Sequence, residues 1–203
     1  MLALAVDSGA SDTDLISNQA ALSVTGTEQG ALVEYSSNGN TWSITAPAAT
    51  EGSNTVYVRQ TDVAGNISAA QQISFTLDTS NPAAPTVSLS QDTGISSTDL
   101  ITSMAGLTIT GTESSAVVEY STDGNTWSTT QPTAVEGLNT IQVRQTDTAG
   151  NVSAAQQITF TLDTQTPDAL VVGLNNDSGN SNADAITSDA SFFINGTEQG
   201  ALV

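Results

Sequence analysis

Cysteine, histidine and lysine are all missing from these 203 residues, and two arginines stand against 21 aspartates and glutamates, a formal net charge of −19. Without histidine or cysteine there is no Ser-His-Asp triad, no thiolate nucleophile, no zinc site of the usual ligands and no disulfide framework. A phosphate backbone is gripped by Lys and Arg, so the charge balance argues against a nucleic-acid partner, and an anionic membrane surface would repel the chain. The charged partner that suits it is a cation. No apolar run approaches the ~20 residues of a membrane-spanning helix, so no membrane insertion is expected. What is present is 37% hydrophobic and only 11% charged, the balance being largely Ser, Thr, Asn, Gln and Gly. That mixture is too apolar and too sparsely charged for disorder and reads as a folded, polar, β-rich protein.

Sliding the sequence along itself by 85 positions aligns Asp7 with Asp92 and Asp177, Gly26 with Gly111 and Gly196, and Glu28 with Glu113 and Glu198, without a gap. The same displacement maps Tyr35 onto Tyr120, Trp42 onto Trp127, Arg59 onto Arg144 and Phe75 onto Phe160. One folding unit is therefore repeated in tandem. The expected organisation is repeat 1 over 1–78, a linker over 79–85, repeat 2 over 86–163, a linker over 164–170 and a truncated repeat 3 over 171–203. Less than half of a unit cannot close its own core, so the chain is expected to be a piece of a longer array. The opening Met1 to Val6 lacks the basic start of a signal peptide and aligns with Thr86 to Gln91, which reads as a strand.

Within the second repeat, Val87 and Leu89 alternate with Ser88 and Ser90, and Leu107 and Ile109 with Thr108 and Thr110, the period of half-buried strands. Ala116 to Ser121 follows as a third strand. Asp123-Gly124 then replaces the Asn38-Gly39 of the first repeat, a swap that makes sense where a tight hairpin needs positive φ. A short strand is expected near Trp127 to Thr130, and Pro132 to Asn139 is rich in turn residues. Thr140 to Asp147 points Ile141 and Val143 inward and Gln142 and Arg144 outward; Ala149-Gly150-Asn151 turns the chain; Ser153 to Leu162 puts Ile158, Phe160 and Leu162 on one face. No helix is expected. The fold class is all-β: tandem immunoglobulin-like antiparallel β-sandwiches in an elongated array. Tyr120, Trp127 and Phe160 are expected to supply the bulk of the core, with Trp42 and Trp127 as sugar-stacking platforms the alternative. Glu34 with Arg59, and Glu119 with Arg144, are expected as exposed cross-strand ion pairs.

The run Leu77 to Pro82, followed by Asp92-Thr93-Gly94, Leu107 to Glu113 and Thr146 to Ser153, resembles the bacterial Ig-like repeats of giant surface adhesins of the RTX, biofilm-forming kind. The resemblance runs over essentially the whole chain. It implies a long extender that holds an adhesive tip away from the cell, export by type I secretion, an extracellular or cell-surface location, and junctions stiffened by calcium.

Strand parity brings the acids together on its own account. The turn from Asp92 to Asp99, the Asp123-Gly124 hairpin and the Glu136-Gly137 passage fall at the end nearest the next unit; the turns at Thr112 to Ser115 and Asp147 to Asn151 fall at the opposite end. Asp78 is thereby expected between Asp7, Asp14 and Glu51 of one repeat and Glu113 and Asp147 of the next, and the arrangement recurs around Asp163 with Asp92 and Asp99. Two carboxylates about 4 Å apart repel by about 4 kcal/mol at an effective dielectric near 20. Calcium, which takes 6–8 oxygen ligands, relieves that repulsion. The candidate metal ligands are Asp7, Asp14, Asp78, Asp92, Asp99 and Asp163, followed by Glu113 and Asp147. The plainer reading of each is a turn-forming Asp, and for Asp147 in particular a side chain that pins its own Ala-Gly-Asn turn.

The leading function is therefore a monomeric structural stalk whose partners are the neighbouring repeats of the same chain, with any host or biofilm ligand met by other regions. The alternative is an adhesion module that engages glycan, protein or ice through its loops or a Thr-rich face. An enzyme would need paired carboxylates in a cleft, and neither full repeat carries an insertion to build one.

Overall fold

The computed structural model describes residues 1–197 and falls into two units, Met1–Leu162 and the stretch beginning at Asp163. Glu198, aligned above with Glu28 and Glu113, lies outside the described residues, as does the end of the expected third repeat. Among the described residues all regular structure is strand.

In the first repeat β1 (Leu2–Leu4) pairs antiparallel with β3 (Leu22–Val24). A second sheet has β2 (Ile16–Ser17), β6 (Gln71–Leu77), β5 (Gly52–Thr61) and β4 (Leu32–Ser36) side by side in that order. The second repeat copies the plan. Its small sheet joins β7 (Thr86–Leu89) to β9 (Leu107–Thr110), and its large sheet orders β8 (Ile101–Thr102), β12 (Gln156–Leu162), β11 (Gly137–Thr146) and β10 (Val117–Ser121). The sheets of each repeat close on one another as a sandwich. Ile141, Val143, Ile158, Phe160 and Leu162 from the large sheet are buried, with Val87, Leu89, Leu107 and Ile109 of the small sheet packed against them. Val56, Val58, Ile73 and Phe75 do the same in the first repeat, together with Leu4. A fully buried side chain of this size stabilises by roughly 1.5–3 kcal/mol. Both sandwiches therefore rest on the parity expected for β11 and β12.

β2 and β8, at two residues each, are too short to show a period in the sequence. They run parallel to the last strand of their repeat, pairing Ile16 with Thr76 and Ile101 with Thr161. The strand expected near Trp127 shrinks to one bridge between Tyr120 and Ser128.

The hairpin tips form as the residue swap predicts. Gly39 and Gly124 both have φ near +74°, the region a side chain disfavours. Asn38 Oδ1 accepts from the Asn40 and Thr41 amides at 2.8 and 3.0 Å, and Asp123 Oδ1 from the Asn125 and Thr126 amides at 2.8 and 2.7 Å. Those backbone donors hold the Asp123 carboxyl far below the usual carboxylate range.

The tryptophans correct the expected core. Trp42 and Trp127 are half-buried on the outer face, each with a guanidinium, that of Arg59 or Arg144, 4.1 Å from its ring centroid. Each arginine also donates from Nε to Glu34 or Glu119 at 2.9 Å, so the expected ion pairs form, but as half-buried three-residue stacks. The reason is register. Tyr120 bridges Ser128, so Trp127 falls opposite Ser121, on the side of the sheet that carries Glu119 and Arg144. Phe160 and Tyr120 stay with the core, and the tryptophan works as an outer platform for a cation, worth about 0.5–1 kcal/mol at such a site.

In the second unit β13 (Val171–Leu174) pairs antiparallel with β14 (Phe192–Asn195). Several of its apolar side chains are open to solvent: Val172 and Phe192 are 63% and 60% exposed.

Candidate functional site at the repeat junction

The loop that leaves β1 is braced from within. Asp7 Oδ2 accepts the Leu15 amide at 3.0 Å, Asp14 Oδ1 accepts the Ile16 amide at 3.0 Å, and Leu15 takes φ +60° between them. The buried Ser17 hydroxyl donates to the Val6 carbonyl and accepts from the Ser8 and Gln19 amides. The brace recurs: Asp92 and Asp99 hold Leu100 and Ile101, and Asp177 and Asp184 hold Ala185 and Ile186. In all three copies the other oxygen of the first aspartate, Oδ1 of Asp7, Asp92 and Asp177, is buried without a hydrogen-bond partner.

This loop is what the first repeat presents to the second. Ser8 Oγ donates to the Ala149 carbonyl at 2.7 Å, the Asn18 amide donates to the same carbonyl at 3.2 Å, and the Ala10 amide donates to that of Thr148 at 3.2 Å. Gly9 makes the approach possible. A Cβ there would collide with the Thr148 carbonyl oxygen and lie 2.8 Å from the Ala149 carbonyl carbon. The segment from Asp78 to Ala83 adds two more contacts: Asn151 Nδ2 donates to the Asp78 carbonyl at 2.9 Å, and Gln145 Nε2 to that of Ala83 at 2.7 Å. Gln145 has no exposed surface, and its Oε1 accepts the Glu113 amide at 2.8 Å.

The acids named from sequence divide accordingly. Asp7 and Asp14 share the first repeat's loop, and Asp78 reaches it through its amide, which donates to the Ser17 carbonyl at 3.0 Å. Glu51 accepts from the Thr79 hydroxyl and amide, next in the chain to Asp78, and these donors hold its carboxyl below the usual range. Asp147 is buried and engages both oxygens with Asn151, through its amide at 2.8 Å and its Nδ2 at 2.8 Å, pinning the turn. Asp62 is bound in the same way by Asn66, which lowers its carboxyl. Glu113 is exposed and meets the junction through its backbone. Asp92 and Asp99 brace their own loop, and Asp163 is exposed, accepting the Gln165 amide at 3.1 Å. Among the described residues no three carboxylates gather at metal-binding spacing. Ser8, Gly9, Asn18 and Gln145 also make the junction and stand outside the residues expected there from the sequence. One signal pointed to Gln145: it continues the inward row of Ile141 and Val143, a polar side chain on a core parity.

The chain matches the bacterial Ig-like domain family over residues 1–79 and again over 80–164. It belongs to that family. Both sandwiches are thus bacterial Ig-like domains in tandem, and the contact just described is one between consecutive domains. No curated protein matches the chain. Among solved structures it is similar to the fibronectin(III)-like modules of Clostridium thermocellum CbhA, at 18% identity and a TM-score of 0.43, over 70% of this chain and 82% of that one.

Proposed function

We propose that this chain is a structural extender, a stretch of the stalk of a bacterial cell-surface or secreted adhesin of the giant RTX type, in which reach grows by adding Ig-like domains. The observation that supports it most is the junction itself. The first domain's loop and the segment from Asp78 to Ala83 make five hydrogen bonds to one end of the second domain and bury Gln145, Ala149 and Asn151. An extender needs such a joint, since domains that ignored each other would leave a flexible string.

Calcium is part of the proposal. The donor set suits a hard cation: carboxylates of Asp7, Asp14, Asp78 and the adjacent Glu51, with almost no basic side chain to compete. The buried Oδ1 of Asp7, repeated at Asp92 and Asp177, is a lone pair that lacks a donor and that a cation would satisfy. Asp7, Asp14 and Asp78 would hold the ion, and Asp92, Asp99 and Asp163 are their equivalents in the second repeat; Glu113 and Asp147 would support the ion held by the first set from the second domain's side. Bound at about 100 times its Kd, one ion specific to the folded form adds about 2.7 kcal/mol. Thermal unfolding and small-angle scattering of the full chain with excess calcium and with excess chelator test this reading. A higher Tm and a narrower range of interdomain orientations with calcium are expected. Identical curves in both conditions would remove calcium from the account and leave the extender resting on direct contacts.

A further inference from the structure

The linker seats itself on the second domain through prolines and carbonyls. Pro82 and Pro85 are both buried, and Gln145 Nε2 donates to the Ala83 carbonyl at 2.7 Å and to that of Gly111 at 3.2 Å, which sets the linker beside Gly111. Asn151 Nδ2 holds the Asp78 carbonyl at the other end of the segment.

The first domain carries every receiving group in the same order. Gly26, Gln60 and Asn66 correspond to Gly111, Gln145 and Asn151, and Val63 and Ala64 to Thr148 and Ala149. Nothing among the described residues covers them. Val63 is 86% exposed, Ala64 and Asn66 are exposed, and an open cleft beside Met1 is lined by Val24, Gly26, Val58 and Gln60. The turn is nonetheless fully formed, with the same Asp-Asn hydrogen bonds as its buried counterpart.

We infer that this cleft and the Asp62–Ser68 turn form a receiving surface for an extended, proline-containing linker of the Asp78–Pro85 type, carried by a further Ig-like domain joined ahead of Met1. Two side-chain amides, Gln60 Nε2 and Asn66 Nδ2, take the linker's carbonyls, a proline ring packs into the cleft against Val24 and Val58, and a Ser-Gly loop donates to the carbonyls of Val63 and Ala64. Proline suits the task because it is already extended and leaves its carbonyl free. An in-line domain is favoured over a second copy. Linker and loop arrive together at high effective concentration, whereas a second copy has its own Asp78–Pro85 segment seated on its own second domain. The surface does this whether or not the array is an adhesin stalk or binds calcium.

The test lengthens the full chain ahead of Met1, once by a copy of residues 78–85 and once by a copy of residues 1–85, and follows amide hydrogen exchange. The short extension should slow exchange at Gly26 to Glu28 about tenfold, and the long one should extend that protection to the Val63 to Asn66 turn. Replacing both prolines of the added linker by Ser, a change that leaves the original chain untouched, should abolish the effect of the short extension. Three results would overturn the inference: no new protection in either lengthened chain, equal protection from the Ser-substituted linker, or concentration-dependent protection of the same residues in the unextended chain, which would make a second copy the occupant.

Discussion

Asp62–Ser68 and Asp147–Ser153 differ only at Val63 against Thr148 and Ile67 against Val152, and they fold into the same turn. In both, the aspartate amide donates to the asparagine carbonyl at 3.0 Å and the carboxylate takes both asparagine donors. Yet one turn is open to solvent and the other is buried under a neighbouring domain. Local hydrogen bonding alone makes the shape, and the neighbour only covers it. The joint is therefore assembled from finished parts, which lowers the ordering cost of docking.

The sharpest way to break the symmetry is at the glycine that approaches the turn. Gly9 and Gly94 have φ of +104° and +103°, so alanine strains both backbones alike, and at Gly9 the added carbon also meets the second domain's backbone at Thr148 and Ala149. Gly9→Ala should weaken the junction by about 1–3 kcal/mol beyond the shared strain. Small-angle scattering should show the first two domains loosened by Gly9→Ala and unaffected by Gly94→Ala.

A similar contrast holds for the two glutamines. Gln145→Ala strips partners from the Ala83 and Gly111 carbonyls and the Glu113 amide inside a covered joint, at a cost of about 1–3 kcal/mol. Gln60→Ala loses only its bond to the Glu28 amide in the half-open first domain and should cost under about 1 kcal/mol. Thermal unfolding of the two variants reads the difference.

The smallest expected contrast lies at the hairpin tips and appears only in acid. Asp123 has its carboxyl lowered by backbone donors, so the stabilisation it gives is complete above the unfolded value near 3.9 and is lost as the pH falls below it. Asn38 makes the equivalent bonds with a neutral amide and has no such dependence. Amide exchange at Asn125 and Thr126 should accelerate relative to that at Asn40 and Thr41 as the pH drops from 5 to 2, after correction for intrinsic rates. Asp123→Asn should remove the difference.

The sandwich was legible because period-two alternation in β11 and β12 is long enough to declare a face, and because Asn-Gly and Asp-Gly substitute for each other where positive φ is required. The side that the tryptophans take is not legible in the sequence, because they lie in a stretch with no alternation of its own and bulk does not imply burial; the bridge at Ser128 assigns Trp127 a side. The ends of the domains were predicted to meet, and the Asp7–Asn18 loop does meet the Asp147–Asn151 turn. The working contacts there are mostly backbone carbonyls and amides, which every residue possesses, and no side-chain pattern announces them. Gly9 betrays the close approach only once its neighbour is known.

The two-residue strand β2 lies parallel to β6, with the Thr76 amide bonded to the Leu15 carbonyl at 2.8 Å and the Asp78 amide to that of Ser17 at 3.0 Å. One strand follows the entry of the chain into the domain and the other leads out of it, so tension on the two ends drags them past each other instead of peeling them apart. The bonds then carry load together and must rupture together, and the domain resists being pulled open along the line that joins its two ends.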